Sequence, residues 1–222
     1  MTKPYLSLAI ICGDAGVSTL ARLLRSVLDR STNVPMVDEV VICWNGKNEE
    51  GLTSALGQVQ TRGLSIPIDV FPQVWPGRFD VARNESFKRC TGEWVIWLDT
   101  DDYVADAGKP GPDDLPAIER CEADYGIAPP PKDAPPVPSL KDWLRSLPWE
   151  VNCVLAPYDY TIDANGYVVI RQKMKRIVRR TANFIWWSPE QSGVHEVLYP
   201  LGNVAEKAIE TMGLLVRHYP AV

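Results

Sequence analysis

Little in this sequence points to a cross-linked or membrane-embedded protein. The five cysteines, Cys12, Cys43, Cys90, Cys121 and Cys153, are scattered, odd in number and without a CxxC pair, which argues against a disulfide framework or a zinc knuckle and fits a reducing cytoplasm. No apolar run approaches the ~20 residues that span a bilayer. Met1-Thr2-Lys3-Pro4 leads directly into a strand-like run, without the basic-then-apolar region of a secretion signal. Positive charge is in deficit as well: with a net charge of −5 and a pI near 5.1, the chain as a whole does not attract nucleic acid or anionic membrane. A polyanionic partner would need a local patch. Internal repeats are lacking, and 222 residues suit one large domain with an ordinary apolar core.

What is present is an apolar run that stops abruptly in carboxylates. Trp94-Val95-Ile96-Trp97-Leu98 is short, rich in aromatic and β-branched residues, and apolar on both faces, as a central strand of a covered, mainly parallel sheet would be. It runs into Asp99-Thr100-Asp101-Asp102. Ligands of open α/β sheets collect where such strands end. Carboxylates this close repel one another unless a cation or hydrogen-bond donors sit among them. Oxygen ligands favour magnesium or manganese over zinc. An acidic turn or a helix cap is the plainer alternative.

Upstream, Leu6 to Cys12 reads as a strand and Val17 to Leu28 as an amphipathic helix, with Arg22, Arg25 and Arg30 on its polar side. Val37 to Trp44 is a second apolar run, and Ile66 to Phe71 gives a third strand before the loop around Pro72 to Gly77. Asp80 to Cys90 reads as a helix closed by Thr91-Gly92. The first hundred residues thus read as a nucleotide-binding α/β half. After Asp102 the prolines Pro110, Pro112, Pro116, Pro129, Pro130, Pro131, Pro135, Pro136 and Pro138 make residues 105–148 mainly loop, either a lid or a surface excursion. Weak helical signals fall at Leu115 to Cys121 and Leu140 to Leu147. Val151 to Tyr160 and Tyr167 to Val178 then read as a hairpin turned at Asp163-Ala164-Asn165-Gly166.

These pieces, in this order, resemble glycosyltransferase family 2, the GT-A fold of nucleotide-sugar-dependent transferases. The resemblance rests on Ser7 to Cys12, Val37 to Ile42, Ala82-Arg83-Asn84, Gly92-Glu93-Trp94, Asp99-Thr100-Asp101-Asp102 and Gly193-Val194-His195-Glu196. It implies an α/β, Rossmann-like, mainly parallel sheet flanked by helices, with residues 1–104 as the nucleotide-sugar half, 105–148 as a Pro-rich excursion and 149–222 as the acceptor and catalytic half containing the C-terminal acceptor-side hairpin. It also implies Mn2+ or Mg2+ as cofactor. Asp101 is then the first metal ligand, Asp99 ligates or holds the ribose, Asp102 orients them, and His218 completes the metal shell. Glu196 is the general base of an inverting transfer, with Glu190 a weaker substitute. Arg83 reaches the nucleobase or the diphosphate, as suits a bidentate guanidinium.

One departure from the family pattern stands at the end of the second strand, where Trp44 occupies the place of a carboxylate. Trp44 either stacks on the nucleobase or packs in the core, and Asp14 could supply the missing polar contact. The acceptor is a glycan, a protein or a hydroxymethylated DNA base. The DNA option rests on six cations in residues 171–180, with Trp186 and Trp187 nearby for stacking. A charge-protected edge strand explains the same cations. The donor is a nucleoside-diphosphate sugar, UDP-linked on the family pattern. A GT-A-like module that binds a nucleotide sugar or a protein without turnover is the alternative from another class.

Overall fold

The computed structural model describes residues 3–28, 35–60, 66–105, 139–162, 168–189, 196–211 and 214–218. Strands β1 (Leu6–Cys12), β2 (Glu39–Trp44) and β4 (Trp94–Trp97) are buried along their whole length. Their side chains divide by parity. Leu6, Leu8, Ile10 and Cys12 join one core with Leu20, Leu23, Leu24 and Val27, whereas Ala9 and Ile11 join a second core with Ala82, Trp97 and Trp186. Helices α1 (Val17–Leu28) and α2 (Glu49–Gln60) pack together and feed the first core, and α3 (Phe79–Arg89) packs on β1 and β2 at the second. Coverage of both faces is why these strands are continuously apolar rather than alternating.

With β3 (Ile68–Pro72), the first four strands form a parallel sheet in the order β3-β2-β1-β4. Beyond β4 the sheet continues through β7 (Val168–Arg179), antiparallel to β4 and to β6 (Cys153–Ile162). It then reaches β11 (Leu215–His218), which lies parallel to β6 and antiparallel to β5 (Asp102–Ala105), opposing His218 to Asp102. A short strand, β10 (Ala208–Glu210), pairs with the start of β6. A separate ribbon joins β8 (Phe184–Trp187) to β9 (Val197–Pro200). Helix α4 (Leu140–Ser146) starts at Ser139, whose hydroxyl accepts the Asp142 N–H.

The strand and helix expectations upstream of Asp102 hold to within a few residues, and so do α4 and the antiparallel β6/β7 pair. Not anticipated were α2, whose Gly51 and Gly57 blur the helical period, and the short strands β5 and β8 to β11. The turn at Asp163 to Gly166, the helical signal at Leu115 to Cys121 and residues 106–138 of the Pro-rich segment lie outside the described residues. Among the described residues, no helix is long and apolar enough to cross a membrane. Cys12, Cys43, Cys90 and Cys153 are buried and free.

The basic stretch is ion-paired rather than open. Arg171 binds Asp159, Lys173 binds Glu210, Lys175 binds Glu206, Arg176 binds Asp102 and Arg179 binds Glu93, while Arg180 donates to the Gly92 carbonyl. Five of these six cations meet the protein's own acids, and Arg180 meets a neutral carbonyl. The charge-protected edge strand expected as the other use of the stretch is not what forms, because β7 lies between β4 and β6.

Candidate functional site

The acidic turn leaves β4 at the C-terminal edge of the parallel sheet, where the loops following β1 and β2 also gather. A Cβ added at Gly16 would stand 2.4 Å from the Thr100 hydroxyl, so only glycine lets the loop after β1 close against the turn. Gly46 is similarly confined, with a Cβ there meeting Asp14 Oδ1 and the Trp44 ring at 2.4 Å each. Asp14 Oδ1 accepts the N–H groups of Lys47 and Asn48 at 2.7 and 2.8 Å. Those two bonds, Asn48's the stronger influence, hold the Asp14 carboxyl below its usual range. Asp14 thus binds the loop after β2. Trp44 is 5 % exposed and packs in the first core, so it offers no open face for a nucleobase.

Asp102, the first residue of β5, is fully buried and engaged through both oxygens. Its Oδ2 accepts the Asp99 N–H at 2.9 Å and meets Arg176 Nη1 at 2.9 Å, while Oδ1 accepts the Tyr158 hydroxyl at 3.0 Å. Burial opposes its charge, but Arg176 foremost, with these hydrogen bonds, holds the carboxyl below its usual range. Asp101 stands beside it with its side chain 32 % exposed, and its backbone carbonyl accepts from Arg22 of α1 at 3.4 Å. Burial lifts the Asp101 carboxyl above its usual range, with His218 opposing and Asp99 and Asp102 adding to the rise. Like charges in a partly desolvated pocket call for a cation.

His218 faces this pair from the end of β11. Its Nδ1 lies 3.7 Å from Asp101 Oδ1 and 3.9 Å from Asp102 Oδ1, beyond hydrogen-bond reach of both, and has no hydrogen-bond partner although it is buried. Its pKa is raised, chiefly by Asp102 against the effect of burial, with Asp101 and Asp99 adding. The ring stacks on Tyr160 at 5.7 Å. One ligand atom from each of Asp101, Asp102 and His218 falls within 4.8 Å of the others. Carboxylate oxygen with one imidazole nitrogen suits Mn2+ or Mg2+, and the orphaned Nδ1 is what such an ion would satisfy. Because Asp102 is already bound on both oxygens, Asp101 and His218 are the pair best disposed to ligate.

Asp99 lies outside that trio. It accepts from Arg83 Nη2 at 2.8 Å, and Arg83 Nε donates to Glu196 Oε1 at 2.7 Å. The Arg83 guanidinium packs against the rings of both Trp97 and Trp186, 4.7 and 4.8 Å from their centroids, and these rings meet edge to face. Ala82-Arg83-Asn84 divides its work accordingly. Ala82 packs in the core, Arg83 joins the two carboxylates, and Asn84 clamps β8 through both the N–H and the carbonyl of Trp186. The sequence placed Arg83 toward the donor, whereas here its donors reach from the acidic turn to Glu196. Glu190, Gly193 and His195 lie outside the described residues.

Arg176 and Tyr158 were missed by sequence reasoning. Alternation along the strand could not have placed Arg176: the β6/β7 register shifts there, with Val154 opposite Ile177 and Leu155 opposite Lys175, and the extra residue turns its side chain to Trp97 and Asp102.

A parallel β3-β2-β1-β4 sheet with an acidic turn at its C-terminal edge is the GT-A arrangement of glycosyltransferases. Residues 7–109 match the family model described as glycosyl transferase family 2. This part of the chain is a glycosyltransferase family 2 domain. Among solved structures, GalNAc-T7 with UDP, GalNAc and Mn2+ shares the fold at a TM-score of 0.51 and 13 % identity, over 97 % of this chain and 43 % of that one. Staphylococcus aureus TarS is similar at a TM-score of 0.44 and 15 % identity, over 80 % and 29 %. The mannosyltransferase PcManGT from Pyrobaculum calidifontis, with GDP-Man and Mn2+, gives 0.36 and 15 % over 46 % and 29 %. The chain spans less than half the length of each of these proteins. Compared by sequence with curated proteins, it has no match.

Proposed function

We propose that this protein is an inverting, metal-dependent glycosyltransferase that moves a sugar from a nucleoside-diphosphate sugar to an acceptor hydroxyl. The observation that carries the reading is the Arg83 bridge, which ties Glu196 to Asp99 of the acidic turn that also bears Asp101. In the proposed reaction, Glu196 takes the proton from the acceptor hydroxyl. The acceptor oxygen bonds to the anomeric carbon from the face opposite the diphosphate, the carbon–oxygen bond to the diphosphate breaks, and the nucleoside diphosphate departs. A cation held by Asp101 and His218 would stabilise the negative charge of that leaving group. A single base on the acceptor side is the basis for proposing inversion. UDP is the first nucleotide to test, since the GalNAc-T7 structure contains it. Residues 1–104 form the donor half and 149–222 the acceptor half, and free buried cysteines support a cytoplasmic location.

A carbohydrate acceptor is favoured over DNA because the cations of β7 are paired within the chain. Trp187 is half exposed on β8 and lies opposite half-exposed Val197, the neighbour of Glu196. Its indole gives a sugar ring an apolar face beside the base. Replacing Trp187 with alanine is expected to raise the acceptor KM roughly fivefold to tenfold, the equivalent of about 1 kcal/mol of stacking. Donor hydrolysis by water should be unchanged. Equal acceptor KM values would remove Trp187 from the acceptor site.

The reading as a whole is tested by nucleoside diphosphate release from a panel of UDP- and GDP-sugars with Mn2+, with and without glycan acceptors or hydroxymethylated DNA. Release from one donor that stops with EDTA and returns with Mn2+ is the expected result. A thermal shift on donor binding without release under any acceptor would favour a non-catalytic nucleotide-sugar module instead.

A further inference from the structure

Arg176 differs from the other cations of β7 in where its charge goes. Lys173 and Lys175 meet partly exposed glutamates near the surface, whereas the Arg176 side chain is 0 % exposed and so is its partner, Asp102. The guanidinium lies between two aromatic faces, 4.1 Å from the Trp97 centroid and 4.3 Å from that of Tyr158. Tyr158 in turn donates its hydroxyl to Asp102. Trp97 is the last residue of β4, one residue short of the acidic turn, so both walls of the guanidinium slot are tied to the site.

A purely structural role explains this arrangement poorly. Apolar residues of similar volume commonly fill a core as well as a buried ion pair does, or better, because two charges must be stripped of water. The pair also sits at the rim where the turn begins. Asp102 accepts the Asp99 N–H and opens β5, and in the β5/β11 ladder it stands opposite His218. Whatever fixes the Asp102 carboxylate fixes the turn at one end and its register against His218 at the other.

We propose that Arg176 is a positioning residue for the cation site. It grips Asp102 from inside the sheet, so that Asp102 braces the turn and Asp101 is presented to His218 Nδ1 as the carboxylate ligand. Arginine fits this task better than lysine because a planar guanidinium can stack on two rings while pairing with a carboxylate, which a compact ammonium cannot. The inference rests on the metal-dependent reading given above.

The test is a Mn2+ titration of the full chain, followed by loss of the free-ion EPR signal, with thermal unfolding measured in parallel. Wild type, Arg176→Met, Arg176→Lys and Val40→Ala are compared, the last being a core truncation in β2 away from the site. The Met variant is expected to bind Mn2+ at least tenfold more weakly, the Lys variant at least threefold more weakly, and Val40→Ala with wild-type affinity despite its lower Tm. A folded Met variant with wild-type affinity would overturn the proposal. If the Met variant does not fold, the Lys variant decides, and wild-type affinity there overturns it equally. Wild type without Mn2+ binding would overturn the metal reading and this inference together, whereas binding that is unchanged in the variants would overturn this inference alone.

Discussion

Asp101→Ala is expected to reduce transfer by roughly 10²–10³-fold, the scale seen when one preorganised group that stabilises transition-state charge is removed, and to abolish the rate dependence on Mn2+. Asp101 faces His218 across 3.7 Å, and burial together with its acidic neighbours lifts its carboxyl above the usual range. A bound cation would relieve that repulsion. Without Asp101, the remaining carboxylate of the trio is Asp102, which Arg176, Tyr158 and the Asp99 N–H already engage. Asp99, the other carboxylate of the turn, is paired with Arg83. Initial rates across a Mn2+ series, with Mn2+ binding measured on the same samples, provide the check. Metal-stimulated release of nucleoside diphosphate that survives the substitution would end the metal role assigned to this residue.

Glu196→Gln is expected to lower transfer by about 10²–10⁴-fold, the range of a lost general base, with donor affinity retained. The amide keeps the side chain's shape, and its oxygen can still accept from Arg83 Nε, so the bridge to Asp99 should persist. Only the capacity to take a proton disappears. Calorimetry with the donor and single-turnover transfer with the acceptor separate the two effects. Transfer at the wild-type rate would show that another group accepts the proton.

The donor half was legible because its information is local. A short β-branched and aromatic run apolar on both faces reads as a covered strand, and three carboxylates in the four positions after Leu98 point to a site. The acceptor half was less legible because its strands are short and their pairing lies far along the chain. Nothing within Leu215–His218 shows that it will lie between β6 and β5. The charge of residues 171–180 could not be assigned from the sequence, because partners such as Glu93 and Asp102 lie far away along the chain. Trp44 was similarly undecided until the loop carrying Gly46 was seen folded over its ring. Arg83 was placed in the site by its motif, but its link to Glu196 depends on β9, β8 and α3 coming together, which no local pattern encodes.

The position of β11 has a consequence for how activity is acquired. The acidic turn is synthesised early and belongs to a unit of parallel strands that can form from neighbouring segments, yet the histidine that faces it arrives on a strand threaded between two others from much later in the chain. Pairings of that kind carry the cost of closing a long loop and form late in folding. A nascent or nicked chain could therefore hold a well-formed nucleotide fold while lacking a complete cation shell. The proposed cation site is complete only once β11 has taken its place between β6 and β5.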